Sequence, residues 1–561
     1  MHEFDLWTSP PSCDDENRPT GVGNALTVMT EMKASTLITT AGRSASKVSS
    51  RAITATGKVD LANLHAQSRR EQDRVFAEFD GEVADVILHE LADRMPNMAA
   101  RNGIRSWQKI AGVSAAAVLA VAALLAPLLV LLVLLGVTSV IALSTVVVSI
   151  VGLRQAKVPR VAPELADEQL PIYTVLVPAY REEEVIGEMV TCLTKLDYPV
   201  DRLDVIFLVE STDLATQQAI AAASPPAYMR VLQVPPGPPR TKPRSCNAGL
   251  LVAKGELLVI FDAEDRPEPQ QLRRAAEVFA AQPANVACVQ AELRTSNKQA
   301  HPIANCFGVE YALRFRSTVP GLAALGVPFP LGGTSNHFRT QVLREVGGWD
   351  AWNVSEDADL GMRLHSLGYR AQVVNSVTSG DAPDRLWDWV SQRTRWHKGF
   401  LLTALVHTRS PLKTIRQFGP RGLFGLMVIV FGNPLQFLAQ PIILALGLAG
   451  LLGYHGMADT FQLDAGVLAV VQLAPMLMWM FVAYLSCDKP GLGDLRAVSA
   501  LPLYWMAHWV AAWRGLYQLV AAPFLWEKTT HRAHPAAQPT SGHLSAVPCL
   551  NMLDLLVEQA A

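Results

Sequence analysis

The chain has 561 residues, half of them hydrophobic and only 17% charged, with a formal net charge of −2. A soluble protein carries roughly 25% charged residues, so this composition points to a membrane protein of more than one domain. Near-neutral charge gives no basis for nucleic-acid binding, and seven scattered cysteines without a C-x-x-C pair argue against a disulfide framework or a zinc site.

Residues 1–60 are rich in Ser, Thr, Ala and Gly, lack apolar periodicity and predict a disordered segment. The first long apolar run begins at Ile110, so no cleavable signal peptide is expected. In residues 61–106, Phe76, Phe79, Val83, Ile87 and Leu91 recur every three or four positions and predict an amphipathic helix.

Residues 110–153 contain no charged side chain. A single helix of that length would reach roughly 66 Å, about twice the hydrocarbon core of a bilayer, so a transmembrane hairpin of two spans is predicted. Arg101, Arg105 and Lys109 precede it while Arg154, Lys157 and Arg160 follow it, which places both ends in the cytoplasm.

Apolar runs alternate with helical stretches across residues 171–410, predicting an α/β domain with a largely parallel, doubly wound sheet whose ligand lies beyond the carboxyl ends of the strands. Neither G-x-x-x-x-G-K-[ST] nor G-x-G-x-x-G occurs at a strand end, which leaves a P-loop ATPase or a dinucleotide dehydrogenase without support. The strand "LLVIF" runs into Asp262-Ala263-Glu264-Asp265. Such crowded oxygen ligands suit Mg²⁺ or Mn²⁺, which bind one or two carboxylates together with substrate phosphates; a solvated turn is the plain alternative.

"NVSEDADLGMRL" (353–364) predicts a helix capped by Ser355, with Leu360, Leu364 and Leu367 on its buried side. Glu356 and Asp357 then lie in the first turn, where the helix dipole favours an ionised carboxylate and a competent base; simple dipole complementation is the alternative. "SQRTRWHKGF" (391–400) sets four basic residues around Trp396, either as a membrane-surface anchor or as a grip on an anion.

Residues 422–526 predict transmembrane and interfacial helices: 422–454 and 465–487 are charge-free spans, whereas 497–526 is broken by Arg514. Trp505, Trp509 and Trp513 in the last run read as an interfacial belt or as sugar-stacking rings. Loop 455–464 lacks Lys and Arg, whereas 488–496 carries Lys489 and Arg496 and is expected in the cytoplasm, as is the tail 527–561 with Lys528 and Arg532.

Six stretches occur in the order found in membrane-embedded family-2 glycosyltransferases: "LVPAYREEEVI", "TKPRSCNAGL", "FDAED", "LGGTSNHFR", "NVSEDADLGMRL" and "QRTRWHKGF". The chain thereby resembles bacterial exopolysaccharide and cellulose-synthase-like enzymes. The resemblance implies a cytosolic GT-A domain flanked by transmembrane helices, with Asp262 and Glu264 at the D-x-D positions for Mg²⁺ or Mn²⁺ and Lys242 as an added cation. It makes Asp357, beside Glu356, the general base. Gln392, Arg395 and Trp396 match Q-x-x-R-W, so that Trp396 would stack on the acceptor sugar and Arg393 and Arg395 would face the diphosphate.

There are departures from the family pattern. Glu210-Ser211-Thr212-Asp213 stands where an aspartate recognises the nucleotide base, leaving Glu210 and Asp213 both as candidates. D-x-D has become Asp-Ala-Glu, Ser355 replaces a threonine, and neither an F-x-V-T-x-K segment nor a C-terminal β-barrel is present. The implied activity is processive, inverting polymerisation of sugar from a nucleotide-diphosphate sugar, in the first instance a UDP-sugar, with translocation of the exopolysaccharide across the inner (plasma) membrane. The expected partners are the donor, a growing glycan or lipid-linked acceptor, the lipid bilayer and export or periplasmic proteins. Transfer of one sugar to a lipid carrier and an inactive membrane scaffold are the alternatives.

Overall fold

The computed structural model describes residues 61–155, 163–383, 385–451 and 465–527. The expected disordered segment 1–60, the loop 455–464 and the tail beyond Glu527 lie outside the described residues, as do Lys157, Arg160, Lys528 and Arg532.

Eight strands form one sheet: β1 (Tyr173–Ala179), β2 (Leu203–Glu210), β3 (Met229–Val234), β4 (Leu257–Ile260), β5 (Arg266–Pro267), β6 (Val286–Thr295), β7 (Asn336–Arg339) and β8 (Arg370–Gly380). Their order is β3-β2-β1-β4-β7-β6-β8-β5. The half from β3 to β4 is parallel, as is β6 with β8. Every residue of β2 is buried, as befits a strand covered on both faces, and each large apolar side chain there contributes about 1.5–3 kcal/mol. Its one charged interior residue, Asp204, accepts from the Thr174 hydroxyl at 3.2 Å and the Lys254 amide at 3.3 Å.

The sheet is largely parallel, as expected, with two exceptions: β7 runs antiparallel between β4 and β6, and β5 antiparallel to β8. Between β6 and β7 the chain passes through the helices Pro302–Leu313 and Val319–Leu325 and re-enters the sheet from the opposite direction. Apolar periodicity marks a strand and carries no sign of its direction.

The N-terminal helical region is two helices, Arg69–Glu78 and Asp80–Arg94, broken at Phe79, where one amphipathic helix was expected. Val75, Phe76, Val83 and Ile87 enter a core shared with Leu208 and Leu250, while half-buried Phe79 sits at the break.

Three helices among the described residues are long and apolar enough to cross a membrane: Ser106–Leu125, Pro127–Gln155 and Pro411–Ala449. The first two break at Ala126, ahead of Pro127. Val470–Ser486 is a shorter apolar helix, and Leu492–Ala521 is the last helix. The Pro127–Gln155 helix touches the Val319–Leu325 helix backbone to backbone, since a Cβ on Gly152 would lie 1.7 Å from the Ser317 carbonyl oxygen and one on Gly321 2.0 Å from that of Val148. Only glycine permits this approach, which fixes the apolar helix to the α/β domain.

Candidate active site

A cavity of about 430 Å³ opens beyond the carboxyl ends of β1, β2 and β4. Its floor is the turn after β4. Asp265 holds that turn, its buried carboxylate accepting from the Asp262 amide at 2.8 Å and from the Thr334 hydroxyl, which leaves Asp262 and Glu264 on the cavity wall. Lys242, the first residue of the Lys242–Val252 helix, donates to Asp262 and, at 2.9 Å, to the Gly333 carbonyl.

The electrostatics of this end are unbalanced. Burial, then the charges of Asp262 and Glu182, push Glu264 up to about 8. Burial, then Asp262 and Glu264, also push Asp265 well above the usual carboxylate range. Burial disfavours the Lys242 ammonium, yet Asp262, Cys246 and Glu356 together carry it above its ordinary range. With one lysine among this many carboxyls, Glu264 and Asp265 keep their protons, and a bound cation would favour their ionised forms.

Of the two candidates for base recognition, only Glu210 lines the cavity; it lies 3.4 Å from the Arg240 guanidinium and accepts from Thr212 at 3.1 Å. Asp213 does not. It caps the Leu214–Ala222 helix by accepting from the Thr216 amide at 3.3 Å, and it takes the Arg181 amide at 2.6 Å. A carboxylate that has turned back to a helix N-terminus cannot also face a ligand.

Glu356 and Asp357 open the Glu356–Ser366 helix and both line the cavity. Ser355 holds the N-cap position, but its hydroxyl makes no capping bond, contrary to expectation. The cause is packing: a Cβ on Gly399 would lie 2.1 Å from Ser355 Oγ, so the hydroxyl is pressed against the neighbouring helix. Leu360 and Leu364 are buried as expected, whereas Leu367, the C-cap residue, is 38% exposed. Burial, then Asp357, pushes Glu356 up to about 8. Burial also raises Asp357, against the opposing pull of Arg314. Asp359 receives Arg363 at 3.0 Å and His407 at 2.9 Å, tying this helix to Leu386–His407.

On the Leu386–His407 helix, Gln392, Arg395 and Trp396 line the cavity, as an i, i+3, i+4 set on one face should. Arg393, expected to face the diphosphate, does not line the cavity. Its guanidinium is turned away and buried, 2.6 Å from Glu310, because one residue along a helix rotates by about 100°. The membrane-anchor alternative fails for the same stretch, since Arg393, His397 and Lys398 are buried.

Several wall residues carried no motif. Trp526 lines the cavity, with the Arg395 guanidinium 4.8 Å from its ring centre. Arg395 donates to the Glu527 carbonyl at 2.7 Å, and Lys398 to that of Leu525 at 2.7 Å, so the segment after the last helix is held against Leu386–His407. Arg240, Tyr311 and Asp381 also line the cavity, as does Glu182 of the stretch "LVPAYREEEVI". For Tyr311 the available signal was the pair of charges, Glu310 and Arg314, that flanks it in the otherwise apolar stretch "GVEYALRF".

Residues 171–399 match the family model described as Glycosyltransferase like family 2. The chain is 28% identical over 247 residues to glucomannan 4-beta-mannosyltransferase 2 of Arabidopsis thaliana, covering 42% of this chain and 46% of that one. It is 28% identical over 238 residues to the beta-monoglucosyldiacylglycerol synthase of Synechocystis sp., covering 41% and 48%. The chain thus spans about half the length of the curated relatives it matches. Mannosyltransferase PcManGT from Pyrobaculum calidifontis, solved with GDP-Man and Mn²⁺, aligns at 20% identity and a TM-score of 0.47, over 69% of this chain and 99% of that one. The family match falls on the residues that build β1 to β8 and carry the cavity's acidic and Q-x-x-R-W walls, so residues 171–399 are similar to a family-2 glycosyltransferase domain and are flanked by long apolar helices.

Proposed function

We propose that the protein is a processive, inverting glycosyltransferase that polymerises sugar from a nucleotide-diphosphate sugar, in the first instance a UDP-sugar, and passes the exopolysaccharide through its own membrane helices. The observation that carries this reading is the single cavity onto which Asp262, Glu264, Asp357, Gln392, Arg395 and Trp396 converge, with a wall completed by Trp526 from the end of the last helix. The intact acidic and basic sets weigh against an inactive scaffold.

In the proposed reaction Asp357 takes the proton of the acceptor hydroxyl as its oxygen bonds to the anomeric carbon and the bond from that carbon to the diphosphate oxygen breaks. Attack from the face opposite the diphosphate inverts the centre. Burial raises Asp357, as suits a group that must take a proton, and Arg314 opposes that rise. Arg395 and Lys242 meet the charge of the departing diphosphate, and Trp396 offers a flat face to the acceptor sugar. Glu210 is the carboxylate placed to read the base.

Mg²⁺ or Mn²⁺ fits Asp262 and Glu264, where the carboxylates outnumber the one lysine that offsets them. When bound it would supply further charge neutralisation on the diphosphate. Among the described residues no three His, Cys, Asp or Glu side chains converge as a metal cage, which suits an ion that takes its other ligands from phosphate and water.

The proposed location is the inner (plasma) membrane, multi-pass, with the catalytic domain cytosolic. Support comes from the loop at Asp488, which pairs with Arg316 at 3.5 Å and Arg294 at 3.7 Å, while Asp494 pairs with Lys298 at 3.3 Å. These pairs hold the loop on the side of the catalytic domain. Cytoplasmic signal from a reporter fused near residue 460 would contradict the arrangement.

The relative named for monoglucosyldiacylglycerol synthesis favours a second reading, one sugar transferred to a lipid. A panel of labelled nucleotide sugars offered to the purified protein in bilayers, with sizing of the product, separates the two. Polymer supports the first reading, and a lipid bearing one sugar supports the second.

A further inference from the structure

We infer that Glu310, outside every recognised motif, is the positioning residue that sets the ring of Trp396 through Arg393, and so governs how the acceptor is held. The inference rests on the reading of Trp396 as the acceptor platform and adds to it a residue that acts from the neighbouring helix.

Arg393 is 1% exposed, and its Nε and Nη1 have no hydrogen-bond partner. Among the described residues its one anionic contact is Glu310, at 2.6 Å. Its guanidinium lies 4.1 Å from the ring centre of Trp396, closer than to Phe307 at 4.8 Å or Trp389 at 5.6 Å. A guanidinium is planar and weakly hydrated, so it packs against aromatic faces, but a buried one keeps its place only where a counter-charge holds it. Glu310 supplies that counter-charge and is itself fixed from a third element, accepting from the Tyr504 hydroxyl at 2.5 Å; that hydroxyl accepts from Trp389 Nε1 at 2.8 Å. The order of support therefore runs from Tyr504 on the last helix to Glu310, to Arg393, to the face of Trp396. None of Glu310, Arg393 and Tyr504 lines the cavity, so the chain supports the acceptor wall without touching the donor.

The test is Glu310→Gln in the full-length protein in bilayers, reading donor KM, nucleotide affinity and product length, or acceptor KM if the product carries a single sugar. Expected is a donor KM within about twofold of wild type and a change of about tenfold in product length or acceptor KM. Glu310→Asp should restore part of the loss. Because a buried arginine stripped of its partner can unfold the protein, Glu310→Leu with Arg393→Met removes both charges at once, a replacement that buried pairs tolerate. This double variant should bind donor normally and still show the acceptor defect. Parallel losses in donor and acceptor parameters, or a double variant with wild-type product, would overturn the inference. If Trp396→Ala shortens the product while Glu310→Gln does not, this inference alone fails; if Trp396→Ala leaves acceptor use unchanged, the reading of Trp396 fails and takes the inference with it.

Discussion

At the proposed donor end of the cavity the charges are carboxylates set on a strand-end turn and a helix first turn, and they crowd one another, with Glu264 and Glu356 both pushed up to about 8 by burial and neighbouring acids. At the proposed acceptor end the charge is the Arg393 guanidinium lying over the ring of Trp396, with its counter-charge, Glu310, already in place. The first arrangement is incomplete by itself, since its crowded carboxyls can ionise together only if a cation joins them. The second is packed before any ligand arrives. On the proposed reading, donor binding is governed by charge and acceptor binding by shape, so the two should be separable by mutation.

The largest effect is expected at the donor end. Asp262→Ala, or excess EDTA on the wild type, should abolish donor turnover, and full activity in EDTA would remove the contrast between the two ends. Next comes Asp357→Asn, which keeps the size of the side chain but loses its basicity. Transfer should fall by about 10²–10⁴-fold with nucleotide binding retained, measured by turnover beside nucleotide titration. Equal losses of both would make Asp357 a structural residue. The smallest effect concerns pH. Glu356 is raised in the folded protein to about 8 from an ordinary value of 4.5, so the folded form binds more protons between those values and stability falls as pH rises through that window. The thermal midpoint of metal-free protein should therefore drop from pH 6 to pH 9, and Glu356→Gln should flatten the drop.

Legibility in the sequence follows the same division. Asp262 could be placed because an apolar strand ending in acids is a local pattern, and Gln392, Arg395 and Trp396 because they resemble Q-x-x-R-W, a spacing that falls on one helical face. Helical rotation alone also turns Arg393 off that face, although the motif suggested otherwise. Glu210 and Asp213 could not be told apart by four adjacent letters, since their fates differ only in that one ends β2 and the other caps the next helix. Ser355 reads as a cap, and only the packed Gly399 of another helix shows why it is not one. The antiparallel entry of β7 has no periodic signature. Glu310 and Trp526 gain their places through contacts spanning 83 residues to Arg393 and, from Glu527 beside Trp526, 132 residues to Arg395, which no local pattern encodes.

The most direct test of the separation is a paired measurement on wild type and Trp396→Ala in bilayers, with labelled donor, Mg²⁺ or Mn²⁺, and both donor affinity and product length read from the same reaction. The account predicts polymer from the wild type, and shorter chains or bare donor hydrolysis from the variant, with donor affinity changed by no more than about twofold. Loss of donor affinity in step with product length, or a variant that still makes full-length polymer, would contradict it.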